Sequence, residues 1–108
     1  VSRIAPTFAR LKAEHRLALI AYLTVGYPRL DVTPSLVEAA AQSGADAIEL
    51  GIPFSDPLAD GRTIQAASQV ALKGGMTVKR ALEAAAAARE KTNVPLLFMT
   101  YLNPILAF

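Results

Sequence analysis

The stretch Ala45-Asp46-Ala47-Ile48-Glu49-Leu50-Gly51-Ile52-Pro53-Phe54-Ser55-Asp56-Pro57-Leu58-Ala59-Asp60-Gly61 decides the fold of this chain. Its first part, Ala45 to Leu50, is a short apolar run of strand length. Its second part, Gly51 to Gly61, holds two prolines and two glycines and reads as a loop of 11 residues. Connections from strand to helix usually take two to six residues, and such excess length often carries function. From Arg62 to Lys73 the spacing turns helical, with Ile64, Ala67, Val70 and Ala71 inward.

The pattern repeats on both sides. Upstream, Leu17 to Leu23 (LALIAYL) is too short for a typical helix and reads as a strand buried on both faces. Thr24 to Pro28 breaks it. Start signals at Asp31 to Thr33 open a helix that ends near Ser43, with Leu36, Val37, Ala40 and Ala41 inward and Gly44 just past its end. A leading helix over 4–15 places Ile4, Phe8 and Leu11 on one face. Downstream, Gly74-Gly75 interrupts, and Thr77 caps an alanine-rich helix that runs to about Thr92. Asn93-Val94-Pro95 then turns into a third strand, Leu96 to Thr100.

Every strand-to-strand crossover contains helix, which makes the strands parallel neighbours. A (β/α)8 barrel of about 250 residues spends about 31 on each unit. The chain therefore supplies about three βα units and a leading helix, and three strands cannot close a barrel. It is either an open α/β piece or the N-terminal portion of a (β/α)8 TIM barrel, with residues 1–108 as one fragment of a single domain. The start without methionine and the apolar stop at Phe108 point to an excised chain.

Composition narrows the function classes. Apolar residues make up 53% and charged residues 19%, which excludes disorder. Twenty-one alanines bury little area each, so the core rests on Leu, Ile, Val and Phe. The net charge of +2 comes from scattered lysines and arginines with no tryptophan, an arrangement unsuited to nucleic acid. No cysteine is present to form disulfides or thiolate metal sites. The single histidine, His15, provides neither a serine-histidine triad nor a metal cluster. The longest uncharged run, Thr92 to Phe108, is broken by prolines and is too short to span a membrane. With no signal-peptide start, the expected compartment is the cytoplasm.

Four of the nine acids, Asp46, Glu49, Asp56 and Asp60, fall between residues 46 and 60. Strand alternation puts Ile48 and Leu50 on one face and Ala47 and Glu49 on the other. Helices take the aliphatic face, so Glu49 points inward near the C-terminal end of its strand, where α/β folds place their sites. Poor solvation there would raise its pKa towards that of a general acid/base. Position alone leaves a second reading, a strand-end acid paired with a base or open to water. For Asp60 the local pattern favours a helix cap before Arg62, and Asp56-Pro57 reads as turn chemistry. Tyr22, Met99 and Tyr101, at the ends of strands 1 and 3, suit either an aromatic pocket wall or core filling.

Residues 45–65, A-D-A-I-E-L-G-I-P-F-S-D-P-L-A-D-G-R-T-I-Q, resemble the α subunit of tryptophan synthase. The flanking segments Thr24-Val25-Gly26-Tyr27-Pro28, Lys73-Gly74-Gly75-Met76-Thr77 and Met99-Thr100-Tyr101-Leu102-Asn103-Pro104 extend the likeness over essentially the whole chain. That family is a (β/α)8 barrel. It cleaves indole-3-glycerol phosphate to indole and glyceraldehyde 3-phosphate by a retro-aldol reaction. The resemblance implies that Glu49 is the acid/base and that Asp60 stabilises the indole N–H. It implies an indole sandwich of Tyr22 and Met99, with Tyr101 nearby. It also implies no cofactor in this chain and a partner β subunit carrying pyridoxal phosphate in an α2β2 assembly. Pro53, Asp56, Pro57, Asn103 and Pro104 match the docking surface for that partner. Tyr22 stands where phenylalanine is common in the family, and Arg62 where proline is common. The family's phosphate site lies in the second half of the barrel, so the chain alone is expected to lack useful lyase activity. A docking module that only activates the β subunit, and an inactive excised half-barrel, are the alternatives.

Overall fold

A computed structural model describes residues 2–108. The elements run α1 (Ile4–Ala13), β1 (Ile20–Thr24), α2 (Thr33–Gln42), β2 (Ala47–Gly51), α3 (Arg62–Lys73), α4 (Val78–Arg89), β3 (Leu96–Met99) and α5 (Leu102–Ala107). The three strands form one parallel sheet in the order β1-β2-β3. Among the described residues, no helix is long and apolar enough to cross a membrane.

Alternation along each strand separates two faces. Ala21, Leu23, Ile48, Leu50 and Leu96 pack with Val37 of α2, Ala71 of α3 and Ala81, Ala84, Ala85 and Ala88 of α4 in one core. Ile48 is fully buried there. The alanines let α2 and α4 lie close to one another over the sheet. The register pairs Tyr22 with Glu49 and Glu49 with Leu97, and it pairs Thr24 with Gly51 and Gly51 with Met99. These residues share the second face, opposite that core.

Several expected boundaries shift. The first strand starts at Ile20 rather than Leu17, and it is not buried on both faces: Leu17 is 94% exposed and Leu19 56%. After α1 the chain reverses at His15, whose φ is 55°. The buried Asp46 carboxylate then accepts the Leu19 N–H at 2.8 Å and meets Arg16 at 3.3 Å, and pairing begins only beyond that anchor. As an edge strand, β1 has a neighbour on one side alone. The strand of the opening stretch runs 47–51, because Ala45 still closes α2 by donating its N–H to Ala40 O. The first helix ends at Ala13 and the alanine-rich helix at Arg89. Arg89 turns its guanidinium onto the carbonyls of Thr92 and Val94.

In α3, Val70 faces outward and Ser68 takes the buried position. The start of α2 carries no side-chain cap, since Thr33 accepts the buried Gly26 N–H at 2.9 Å instead. Gly44, at φ 112°, ends α2 in the left-handed region as its sequence position predicts. Thr77 caps α4 by accepting the Arg80 N–H.

Candidate active site

The C-terminal ends of the three strands and the 52–61 segment converge on a cavity of about 390 Å3. Tyr22, Asp60, Met99 and Tyr101 line it, together with Ile52, Ala59, Ser68, Thr100 and Leu102. Four of the five residues expected to do chemistry or hold substrate thus meet at one place. Glu49 does not line the cavity itself. It lies half-buried in the sheet, directly beside Tyr22 in register and on the same face as Gly51, the last residue of β2. Among the described residues it forms no ion pair, so its carboxylate is not held away from that face.

Tyr22 links the two acids. Its ring leans over Gly51, where a Cβ would collide with the Tyr22 hydroxyl and ring carbons. Its hydroxyl lies 3.4 Å from Thr24 Oγ1. Burial pushes the Tyr22 phenol above the usual tyrosine value. The Thr24 hydrogen bond pulls the other way, and the charges of Asp60 and Glu49 add to the rise. Tyr22 therefore stays a neutral phenol with both carboxylates in electrostatic reach.

Asp60 does not cap α3, contrary to the local pattern. The cap position is Gly61, in extended conformation at ψ 175°, and no side chain bonds the first turn. The Asp60 carboxylate is left to the cavity. Its loop is tied down from both sides. Ala59 N–H donates to Tyr101 Oη at 2.8 Å, and Gln65 Nε2 donates to Asp60 O at 2.8 Å. The Phe54 and Tyr101 rings pack with centroids 5.4 Å apart. Of the expected docking residues, Asp56 and Asn103 are exposed, Pro57 and Pro104 are half-buried, and Pro53 is buried beneath the loop.

The sequence reading missed Ser68, Phe54 and Gln65. Ser68 had a signal: it follows Ile64 by four residues and so shares the inward face as its one polar member. Phe54 and Gln65 act through contacts that no local pattern marks. A second cavity, of about 410 Å3, lies between Phe54, Pro57 and α3 and holds no acid. Among the described residues, no cluster of three or more His, Cys, Asp or Glu side chains could hold a metal ion.

Known proteins are similar to this chain in sequence and fold. The model of the family described as tryptophan synthase alpha chain matches residues 8–108. The tryptophan synthase alpha chain of Solibacter usitatus is 56% identical over 108 residues, covering 100% of this chain and 40% of the relative. That of Chloroflexus aurantiacus is 52% identical over 109 residues, covering 100% and 41%. The crystal structure of tryptophan synthase subunit alpha from Legionella pneumophila superposes with a TM-score of 0.95 at 40% identity, over 99% of this chain and 41% of that one. Tryptophan synthase from M. tuberculosis in its aminoacrylate-bound form gives 0.92 at 41% identity, over 99% and 43%. The chain spans about two fifths of the length of the curated relatives it matches.

Proposed function

The chain belongs to the tryptophan synthase alpha chain family and is part of its (β/α)8 barrel, and from that premise we propose that it carries the acid/base half of an indole-3-glycerol-phosphate lyase site. Glu49 delivers a proton to indole C3 and takes one from the hydroxyl on the adjoining glycerol carbon. The C–C bond between them then breaks. Its electron pair restores the indole ring, and the hydroxyl-bearing carbon leaves as the aldehyde of glyceraldehyde 3-phosphate. Positive charge on the indole nitrogen during the reaction is stabilised by the Asp60 carboxylate. Tyr22 and Met99 flank the indole, with Tyr101 beside it.

The observation that carries this reading is the convergence of an uncapped Asp60, Tyr22 and Met99 on one cavity, with Glu49 next to Tyr22 on the same sheet face. The substrate phosphate is to be bound by the strands that longer relatives carry, so this chain alone is expected not to turn over. The chemistry asks for no cofactor in this chain. The partner is a β subunit carrying pyridoxal phosphate in an α2β2 assembly, docked over Asp56, Pro57 and Asn103, and the setting is the cytoplasm.

Indole release from indole-3-glycerol phosphate tests the proposal, first on this chain and then on the chain extended to the length of its relatives. The extended chain should release indole, and Glu49→Gln should abolish release while the circular dichroism spectrum stays unchanged. Near-normal rates in Glu49→Gln would sink the acid/base assignment. An extended chain that releases no indole but raises β-subunit turnover would make it a docking module instead.

A further inference from the structure

Asp60 lies near the end of a ten-residue segment between β2 and α3, residues 52–61. A connection of that length leaves a carboxylate free to wander unless other side chains restrain the backbone. Two do. On one flank, Tyr101 Oη accepts the Ala59 N–H at 2.8 Å, although the two residues are 42 apart in sequence. The same ring packs against Phe54 near the start of the segment, so one side chain grips it at both ends. On the other flank, Gln65, in the first turn of α3, donates one amide group to Asp60 O at 2.8 Å and to Pro57 O at 3.3 Å. Asp60 N–H also donates to Pro57 O, which closes a turn under the carboxylate. The backbone on either side of Asp60 is thereby fixed, and only its two side-chain torsions remain.

We infer that Tyr101 and Gln65 are positioning residues, acting through the loop backbone to aim the Asp60 carboxylate into the cavity. This rests on the reading of Asp60 as the carboxylate that faces the indole nitrogen. It gives Tyr101 a task beyond lining the cavity: its oxygen accepts from the loop, while its own O–H stays free to donate. A carboxylate aimed this way is worth most where charge develops during reaction, and a displacement of about 1 Å costs up to ~100-fold in rate.

Tyr101→Phe is the discriminating variant, since it keeps the ring, the Phe54 contact and the cavity wall and removes only the hydroxyl that accepts the Ala59 N–H. Amide hydrogen exchange on this chain should show Ala59 protected, and about tenfold less protected in Tyr101→Phe, with the α3 amides unchanged. An Ala59 amide that exchanges at the rate of an open loop in the unsubstituted chain overturns the inference without any variant. In the chain extended to family length, Tyr101→Phe should lower kcat about tenfold with KM nearly unchanged, and it should cost nothing further in an Asp60→Asn background. Gln65→Met, which reads the opposite flank, should behave the same way and serves if Tyr101→Phe does not fold. Losses that multiply with Asp60→Asn, or a rise in KM alone, would make Tyr101 a ligand contact and refute the positioning role. If Asp60→Asn itself leaves turnover unchanged, the role of Asp60 falls, while the exchange result still decides whether the clamp exists.

Discussion

Replacing Gly51 by alanine tests the packing that shapes the cavity. In an ordinary strand this change gains about 0.5–1 kcal/mol, because alanine loses less backbone entropy on folding than glycine. Here the added methyl meets the Tyr22 hydroxyl, its Cζ, and its Cε2 at 2.9 Å. All three atoms belong to one rigid ring, so no single rotamer adjustment at its tip relieves the clash. The ring must swing off the sheet and give up its contact with Thr24. Overpacking of this kind costs about 1–3 kcal/mol. With a urea m-value near 1.5 kcal/mol/M, a loss of about 2 kcal/mol lowers the unfolding midpoint by roughly 1.3 M. Tyr22→Phe removes only the foremost atom and should recover part of the loss. Tyr22→Ala removes the ring, and in that background Gly51→Ala should become neutral or slightly stabilising. Urea unfolding followed by circular dichroism over the four variants of the cycle gives the coupling directly. Equal cost for Gly51→Ala with and without the Tyr22 ring would refute the account.

Asp46→Ala should destabilise the chain by about 1–3 kcal/mol in thermal unfolding, because it orphans the Leu19 N–H and leaves Arg16 without its buried partner, whereas Asp46→Asn, which keeps an acceptor oxygen, should lose less; an alanine variant as stable as the parent would contradict the anchoring role. Tyr22 has a folded pKa above the ordinary 10.0, caused first by burial, so its contribution to stability is complete below pH 10 and declines as pH rises through the folded value. An ultraviolet titration of tyrosinate should show one late-titrating component that disappears in Tyr22→Phe, and its persistence there would assign it elsewhere.

Legibility in the sequence followed how local each cause was. Helix α3 could be read to the residue because Gly61 and Gly74 bracket it. The rotation of that helix was harder. Spacing of apolar residues put Val70 inward, but the buried face of the helix passes through Ser68, a polar residue that such spacing does not count. The start of β1 was not legible, since an apolar run does not show which of its residues have a neighbour. Leu17 precedes the sheet, and Leu19 and Ile20 lie at the start of its edge strand, so all three stay exposed. The local pattern favoured a cap at Asp60 because a cap is a local bond. Its loop is held both by near residues, Gln65 and Pro57, and by Tyr101, which reaches the Ala59 N–H from 42 positions away, and only the fold brings that residue near.

The alternation of β2 was legible, and it explains why the core face and the cavity face separate so cleanly along four residues. Ile48 and Leu50 face the helices and are sealed in the core. Glu49 and Gly51 face away; Gly51 is buried under the Tyr22 ring, while Glu49 is only half-buried, so its carboxylate avoids the full cost of a dry interior. Gly51 has no side chain, and that missing side chain is what lets the Tyr22 ring tilt from its register position beside Glu49 towards the end of the sheet where Asp60 waits. Glu49 and Gly51 therefore work as a pair: one places a carboxylate on this face, and the other makes room for the aromatic ring beside it. A polar residue at 48 or 50 would unfold the layer beneath the site, whereas a larger residue at 51 would leave the helices in place and push the ring into the cavity.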